Sequence, residues 1–288
     1  MTAIQAYIAR IDAVEAQRQR MYGAEPEGDV WAGPAAQVFR ADPKRSLDAN
    51  LTIIASYLLP QDIFVDVGGG AGRVSLPMAQ NCKEVVSVEP SPGMADGFRA
   101  LASENQISNA SIVPSGWLEA ESVSGDVVFT ADVTYFVRDI EGFIKKMDLR
   151  AKRRAMIMVW SQPPPNRGAE IFRLIYGEEQ ETLPGHRDLL PVLWEMGILP
   201  DVRVLPDSPW WESLPQSREE AIDLALRGRW LKHGDQDRAR KLVEESFEYL
   251  FDVGGEGFGD GDVARLGAFD IRRGPVDHYL LRSGSSLH

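Results

Sequence analysis

The sequence predicts an α/β fold built on a mostly parallel sheet with helices on both faces. Three observations predict it. Short apolar runs at residues 63–67, 84–88, 126–130 and 154–160 alternate with longer segments of helical character. Those runs are apolar on successive residues, as strands covered by helices on both faces must be. The first run also ends in a glycine-rich turn that leads into a helix, Asp66-Val-Gly-Gly-Gly-Ala-Gly72.

The elements follow in order. Residues 3–21 read as an amphipathic helix, with Ile4, Tyr7, Ile8, Ile11 and Val14 on one face. Pro26, Gly28, Gly33 and Pro34 make 23–43 mostly loop, with the aromatics Tyr22, Trp31 and Phe39 in or beside it. A helix over 46–59 has Ser46 as its candidate N-cap, and Pro60 closes it. Strands at 63–67, 84–88, 110–113, 126–130 and 154–160 then alternate with helices at 73–81, 93–105 and 140–149. Pro163, Pro164 and Pro165 mark a loop, 189–195 a helix, 202–205 a sixth strand and 279–282 the last one. Two polar helices, 219–230 and 236–251, and a glycine-rich loop, 254–261, interrupt the sheet. Loops that follow parallel strands emerge at the carboxyl edge, where ligands bind. Residues 207–265 are therefore read as a lid, between a core at 60–206 and a last strand and tail at 266–288. Residues 1–59 form an N-terminal helical segment.

Composition narrows the function classes. The chain has 288 residues, 31 Lys plus Arg against 43 Asp plus Glu, and a formal charge of −12. Hydrophobic residues at 44% and charged residues at 26% are ordinary globular values and exclude wholesale disorder. The acidic balance argues against a nucleic-acid partner and against an anionic membrane surface. The one cysteine, Cys82, excludes an intrachain disulfide and a cysteine-based zinc site. Arg10, Asp12, Glu15, Arg18 and Arg20 break any apolar leader, and no apolar run is long enough for a membrane span. A soluble, cytoplasmic protein is the resulting expectation.

The glycine turn carries the chemistry. Glycines there let the chain turn sharply and let a ligand approach the backbone, and a second acid, Glu89, ends the next strand. A dinucleotide fingerprint needs a small residue at its sixth position; counting from Gly68 that position is Arg73, and from Gly70 it is Ser75. The pattern Asp-x-Gly-x-Gly-x-Gly is met in full by Asp66, Gly68, Gly70 and Gly72. With Val86-Ser-Val-Glu-Pro-Ser and Asp126-Val-Val-Phe-Thr-Ala-Asp-Val-Thr-Tyr-Phe-Val, residues 60–160 resemble class I S-adenosylmethionine-dependent methyltransferases of the type that modifies small molecules.

The resemblance implies a Rossmann-like seven-stranded sheet, S-adenosyl-L-methionine as cofactor and S-adenosyl-L-homocysteine as product. It implies roles residue by residue. Asp66 orients the loop and meets the methionine ammonium. Gly68, Gly69, Gly70 and Gly72 bring backbone to the methionyl part, and Glu89 takes the ribose hydroxyls. Pro90 and Met94 flank the adenine, Gly116 and Trp117 touch its edge, and Thr130 and Ala131 line the methyl-donor end. Thr130-Ala131-Asp132-Val133 lacks the Pro-Pro-aromatic element of the nucleobase-amine methylators, which disfavours DNA methylation.

Beside the resemblance stand weaker candidates. His186 and His233 are candidate general bases, because a histidine titrates near neutrality. Tyr22, Trp31, Tyr135, Trp160, Trp210 and Trp211 are candidate walls of an acceptor pocket, with packing as the plainer reading for each. No histidine spacing makes a metal site. Two other functions stay open at this point: a protein that binds the cofactor without turnover, and an NAD-dependent oxidoreductase. The sequence leaves the acceptor, the methylated atom and the oligomeric state open.

Overall fold

In the computed structural model, described for residues 1–23, 28–33, 37, 39–206, 217–226, 231–232, 234–251 and 278–284, seven strands form one sheet in the order β3-β2-β1-β4-β5-β7-β6. The strands are β1 (Ile63–Val67), β2 (Glu84–Val88), β3 (Ala110–Val113), β4 (Gly125–Ala131), β5 (Ala151–Trp160), β6 (Asp201–Leu205) and β7 (His278–Gly284). The first five are mutually parallel, and β7 pairs antiparallel with both β5 and β6. The expected seven-stranded, mostly parallel Rossmann-like sheet is therefore present.

Alternation along the strands divides the core into two layers. Phe64, Val127, Phe129, Met156, Met158 and Leu280 face one side with Leu51 and Ile54 of α2 (Ala49–Ala55) and Met78 of α3 (Ser75–Met78). Val65, Val67, Val128, Ile157, Val159 and Leu281 face the other. They meet Tyr7 of α1 (Ala3–Tyr22), Phe143 and Met147 of α5 (Ile140–Arg150), and Leu189 and Val192 of α7 (His186–Glu195). Between them in the chain, α4 (Pro92–Glu104) packs Phe98 and Leu101 against Leu76.

Local chemistry moves some boundaries. Asp48, not Ser46, caps α2: its carboxylate accepts the Leu51 N–H at 2.8 Å. The helix after the glycine turn is one short turn, with Pro77 in it, rather than the expected 73–81. A helix that the pattern did not suggest, α6 (Ala169–Tyr176), follows the triple proline and ends on Gly177 in the left-handed conformation. Its Ile171 and Ile175 share a core with α8 (Arg218–Leu226), α9 (Gln236–Glu245) and α10 (Phe247–Leu250). The described helices of the expected lid thus close their apolar faces on α6. The rest of that segment, including 254–261, lies outside the described residues. Leu205, His278 and Trp160 stand in register across β6, β7 and β5, so the insertion leaves and re-enters the sheet at its carboxyl edge. Among the described residues no helix is long and apolar enough to cross a membrane.

One buried bond ties α1 to that edge. The Tyr7 hydroxyl donates to the Thr134 carbonyl at 2.8 Å, and burial drives the phenol pKa far up. Tyr7→Phe removes this bond and leaves that carbonyl only the Val137 N–H, at 2.9 Å. The expected cost is about 1–2 kcal/mol, read as a lower urea midpoint with an unchanged m-value.

Candidate functional site

The site forms where β1, β2, β4 and β5 end side by side. The β1 strand runs into the turn at Gly68, whose N–H donates to Val88 O at 2.8 Å. Gly68 and Gly70 have φ of +71° and +56°, conformations that side chains resist. The space a side chain on Gly70 would enter is open, with only the Met94 sulfur within 4 Å, at 3.8 Å. Gly69 lies tight against Asp66 and Ser87, and Gly72 against Leu76 and Phe98.

Two acids stand under this turn. Asp66 is 2% exposed, and its Oδ2 makes no hydrogen bond among the described residues. Burial raises its pKa from 3.8 to about 7, against the lowering effects of the Ser75 hydroxyl and the Arg73 charge. Glu89 is also buried. Its Oε2 accepts the Gly70 N–H at 2.9 Å and its Oε1 accepts the Ser91 N–H at 2.8 Å. Burial pushes the Glu89 pKa up, and these two bonds pull it back. Each carboxylate oxygen keeps a further lone pair for a hydroxyl.

A segment that sequence reasoning left as loop crosses this edge. Asp29 accepts from the Ser91 hydroxyl at 2.7 Å and from the Gly93 N–H at 2.9 Å, which docks it on the first turn of α4. Trp31 then packs on Ala71 and Met94 beside Phe39, with an edge contact of 6.2 Å to Phe136. Trp31 therefore lies beside the glycine turn rather than with Trp160. Pro90 is exposed between Glu89 and Ser91.

A second group gathers at the ends of β4 and β5. Thr130 donates to Val67 O at 2.8 Å and pins β4 to β1, with Ala131 partly buried after it. Asp132 has φ +61°, and its N–H donates to Met158 O. Arg73 reaches across from the glycine turn to Asp132, 3.6 Å away. Tyr135 and Trp160 are buried with Leu183 and the partly buried Val14. Arg167 stacks over the Trp160 ring at 4.4 Å. Burial pushes its pKa down to about 10, and Asp132 and Tyr135 work against that shift.

Other candidates fall elsewhere. The Trp117 indole is buried in the layer under α5 and donates to Phe143 O at 3.3 Å, so its ring is occupied by packing. Gly116 is crowded by Glu119. Tyr22 sits with Tyr176 and Asp235, by the helical module rather than at the strand ends. His186 is buried at the start of α7. His233, Trp210 and Trp211 lie outside the described residues. Sequence reasoning missed Asp29, Asp132 and Arg167. It met Arg73 only as a misfit to another motif, and an arginine inside a glycine turn was itself the available signal.

Residues 65–158 match the family model of a methyltransferase domain. No curated protein matches the sequence. Among solved structures, the chain is similar to the YcgJ protein from Bacillus subtilis, with TM-score 0.53 and 11% identity over 83% of this chain and 98% of that one. It is also similar to a SAM-dependent methyltransferase from Geobacter sulfurreducens crystallised with S-adenosyl-L-homocysteine, with TM-score 0.51 and 14% identity over 88% of this chain and 98% of that one. Likeness at such identities establishes the fold.

The buried aspartate sets a pH dependence. With a folded pKa of about 7 against 3.8 for the ordinary group, the protonated form is favoured by folding. Its contribution is full below about pH 4 and is lost as pH rises through about 7. Urea titrations should show wild-type stability falling relative to Asp66→Asn across that window. A constant difference between the two would show that Asp66 titrates normally.

Proposed function

We propose that this chain, which carries a class I methyltransferase domain with S-adenosylmethionine as its cofactor, transfers the methyl group to a small-molecule acceptor. The observation that supports this most is the joint geometry of the glycine turn, Asp66 and Glu89. Open space lies beside Gly70, a carboxyl oxygen of Asp66 has no hydrogen bond among the described residues, and Glu89 is held at the rim with lone pairs to spare. A polar, positively charged ligand with a diol fits that donor and acceptor set. The dinucleotide alternative falls away, since Arg73 turns to Asp132 and leaves no small-residue contact of that motif.

Bound there, S-adenosylmethionine supplies a sulfonium methyl already activated for in-line displacement. The chain's own residues then have to bind, align and exclude water. Glu89 takes the ribose hydroxyls, and Asp66 meets the ammonium. Met94 and Trp31 wall the adenine side, with Pro90 at its rim. Gly68 and Gly70 offer backbone to the methionyl part. Thr130 and Ala131 form the floor at the methyl end, and Tyr135 and Trp160 wall the acceptor side. The insertion that rises from the carboxyl edge, with α8 and α9, covers the acceptor. A reducing, cytoplasmic setting belongs to the same reading and is supported by a lone buried thiol, Cys82.

Two measurements test this. In Glu89→Ala, S-adenosylmethionine affinity by calorimetry should fall by about 2–3 kcal/mol, the scale of hydrogen bonds to a charged group. Unchanged affinity in a folded variant would remove Glu89 from the site. Amide exchange in α8 and α9 should slow when cofactor and acceptor are both bound, while α1 stays unchanged. Exchange in α8 and α9 that is already slow in the free monomer and indifferent to ligands would make this segment a fixed subdomain.

A further inference from the structure

We propose that Asp29 is a positioning residue for the cofactor: it latches residues 28–33 across the end of β1, so that S-adenosylmethionine enters and S-adenosylhomocysteine leaves only when the latch opens. This deepens the cofactor reading above and rests on it.

The segment first shapes itself. Asp29 Oδ1 accepts the Trp31 N–H at 3.0 Å, and the Asp29 carbonyl accepts the Ala32 N–H at 3.2 Å. Both bonds are local and make a turn of the kind aspartate favours. The second carboxylate oxygen serves distant partners: Oδ2 accepts the Ser91 hydroxyl at 2.7 Å and the Gly93 N–H at 2.9 Å. The Gly93 and Ser91 bonds hold the Asp29 carboxyl below the usual carboxylate range, so it is charged at neutrality and the bonds are charge-assisted.

Position gives the latch its effect. Ser91 and Gly93 stand at the head of α4, just after β2. Trp31 packs there on Met94 and on Ala71 of the glycine turn. Its ring also meets Phe136, in the turn after β4, at 6.2 Å. Since β1 lies between β2 and β4, a side chain that touches both flanks spans the end of β1. Met94, which it covers, borders the open space beside Gly70.

Gly93 shows how closely the segment seats. A β-carbon there would come within 2.7 Å of both the Cα and the Cβ of Ala32. Backbone does not yield that distance cheaply, so the seat requires a glycine in the first turn of α4, where alanine is the better helix former. All the latch's partners are protein groups, so it holds with or without cofactor. Entry and exit then wait on the same opening, and both rates carry its cost. A plain wall of the site behaves differently: losing it speeds release and leaves entry as it was.

Surface plasmon resonance with the full chain and S-adenosylhomocysteine tests the proposal. Asp29→Ala removes the latch, and Gly93→Ala wedges Ala32 off α4 without touching a charge. In each, association and dissociation should both accelerate at least about tenfold, the scale of one hydrogen bond to a charged group. Kd should move less than about threefold, because opening becomes easier for the free and the loaded protein alike. Asp29→Asn, which keeps an accepting oxygen, should fall between wild type and Asp29→Ala. Rates that match wild type, or dissociation that accelerates alone, in a folded variant would overturn the latch while the cofactor reading stands. Should neither variant fold, wild-type amide exchange decides. The Trp31 and Ala32 N–H groups should exchange about tenfold more slowly with ligand at about ten times its Kd, and unchanged exchange would overturn the latch. S-adenosylhomocysteine that does not bind the wild type would overturn the cofactor reading, and the latch with it.

Discussion

The carboxylate of Glu89 fastens two loops to each other, and the rest of the site hangs on that joint. One oxygen holds Gly70 in the turn after β1; the other holds Ser91 at the head of α4. A buried carboxylate is expensive without such partners, so the acid and the two N–H groups stabilise each other's positions. Ser91 in turn caps α4 through the Met94 N–H and gives its hydroxyl to Asp29. Asp29 lays down the segment that brings Trp31 over the turn. From the other side, Arg73 extends the same turn to Asp132. Strand order makes this possible, because β1 lies between β2 and β4 and their ends share one edge.

Much of this was legible because it is written locally. Runs of Val, Ile and Phe at strand spacing, and glycines where φ is positive, announce themselves within a dozen residues. What escaped depends on partners far along the chain. The Ile171 and Ile175 stripe has no visible purpose until Ile222 and Val243 arrive to cover it. Trp117 follows the third strand, as an adenine contact would, yet tertiary packing turns its ring under α5. Arg73 reads as an intrusion in a glycine motif until Asp132 is beside it. Asp48 displaced Ser46 as a cap because only its oxygen reaches the Leu51 N–H in the observed turn, a matter of ångströms that residue type does not encode.

Net charge and local charge also tell different stories. The formal charge of −12 governs how the whole molecule meets distant charges, but screening confines that influence to about 8–10 Å at ordinary salt. Within the edge formed by β4 and β5, Arg73 stands 3.6 Å from Asp132 and Arg167 stacks on Trp160, so neighbours a few ångströms apart govern the local field.

The placement of β7 has a consequence for how the molecule assembles. This strand is last in sequence, yet it lies between β5 and β6. Until it emerges, β5 offers a run of apolar backbone, Met156 to Trp160, with one ladder unmade, and β6 has no neighbour in the sheet. A chain growing from its N-terminus holds the parallel part of the sheet, β1 to β5, ready while that edge stays exposed to stray pairing. Completion then resembles the drawing of a bolt: one late strand engages both neighbours at once, so the distal half of the sheet is either fully locked or absent.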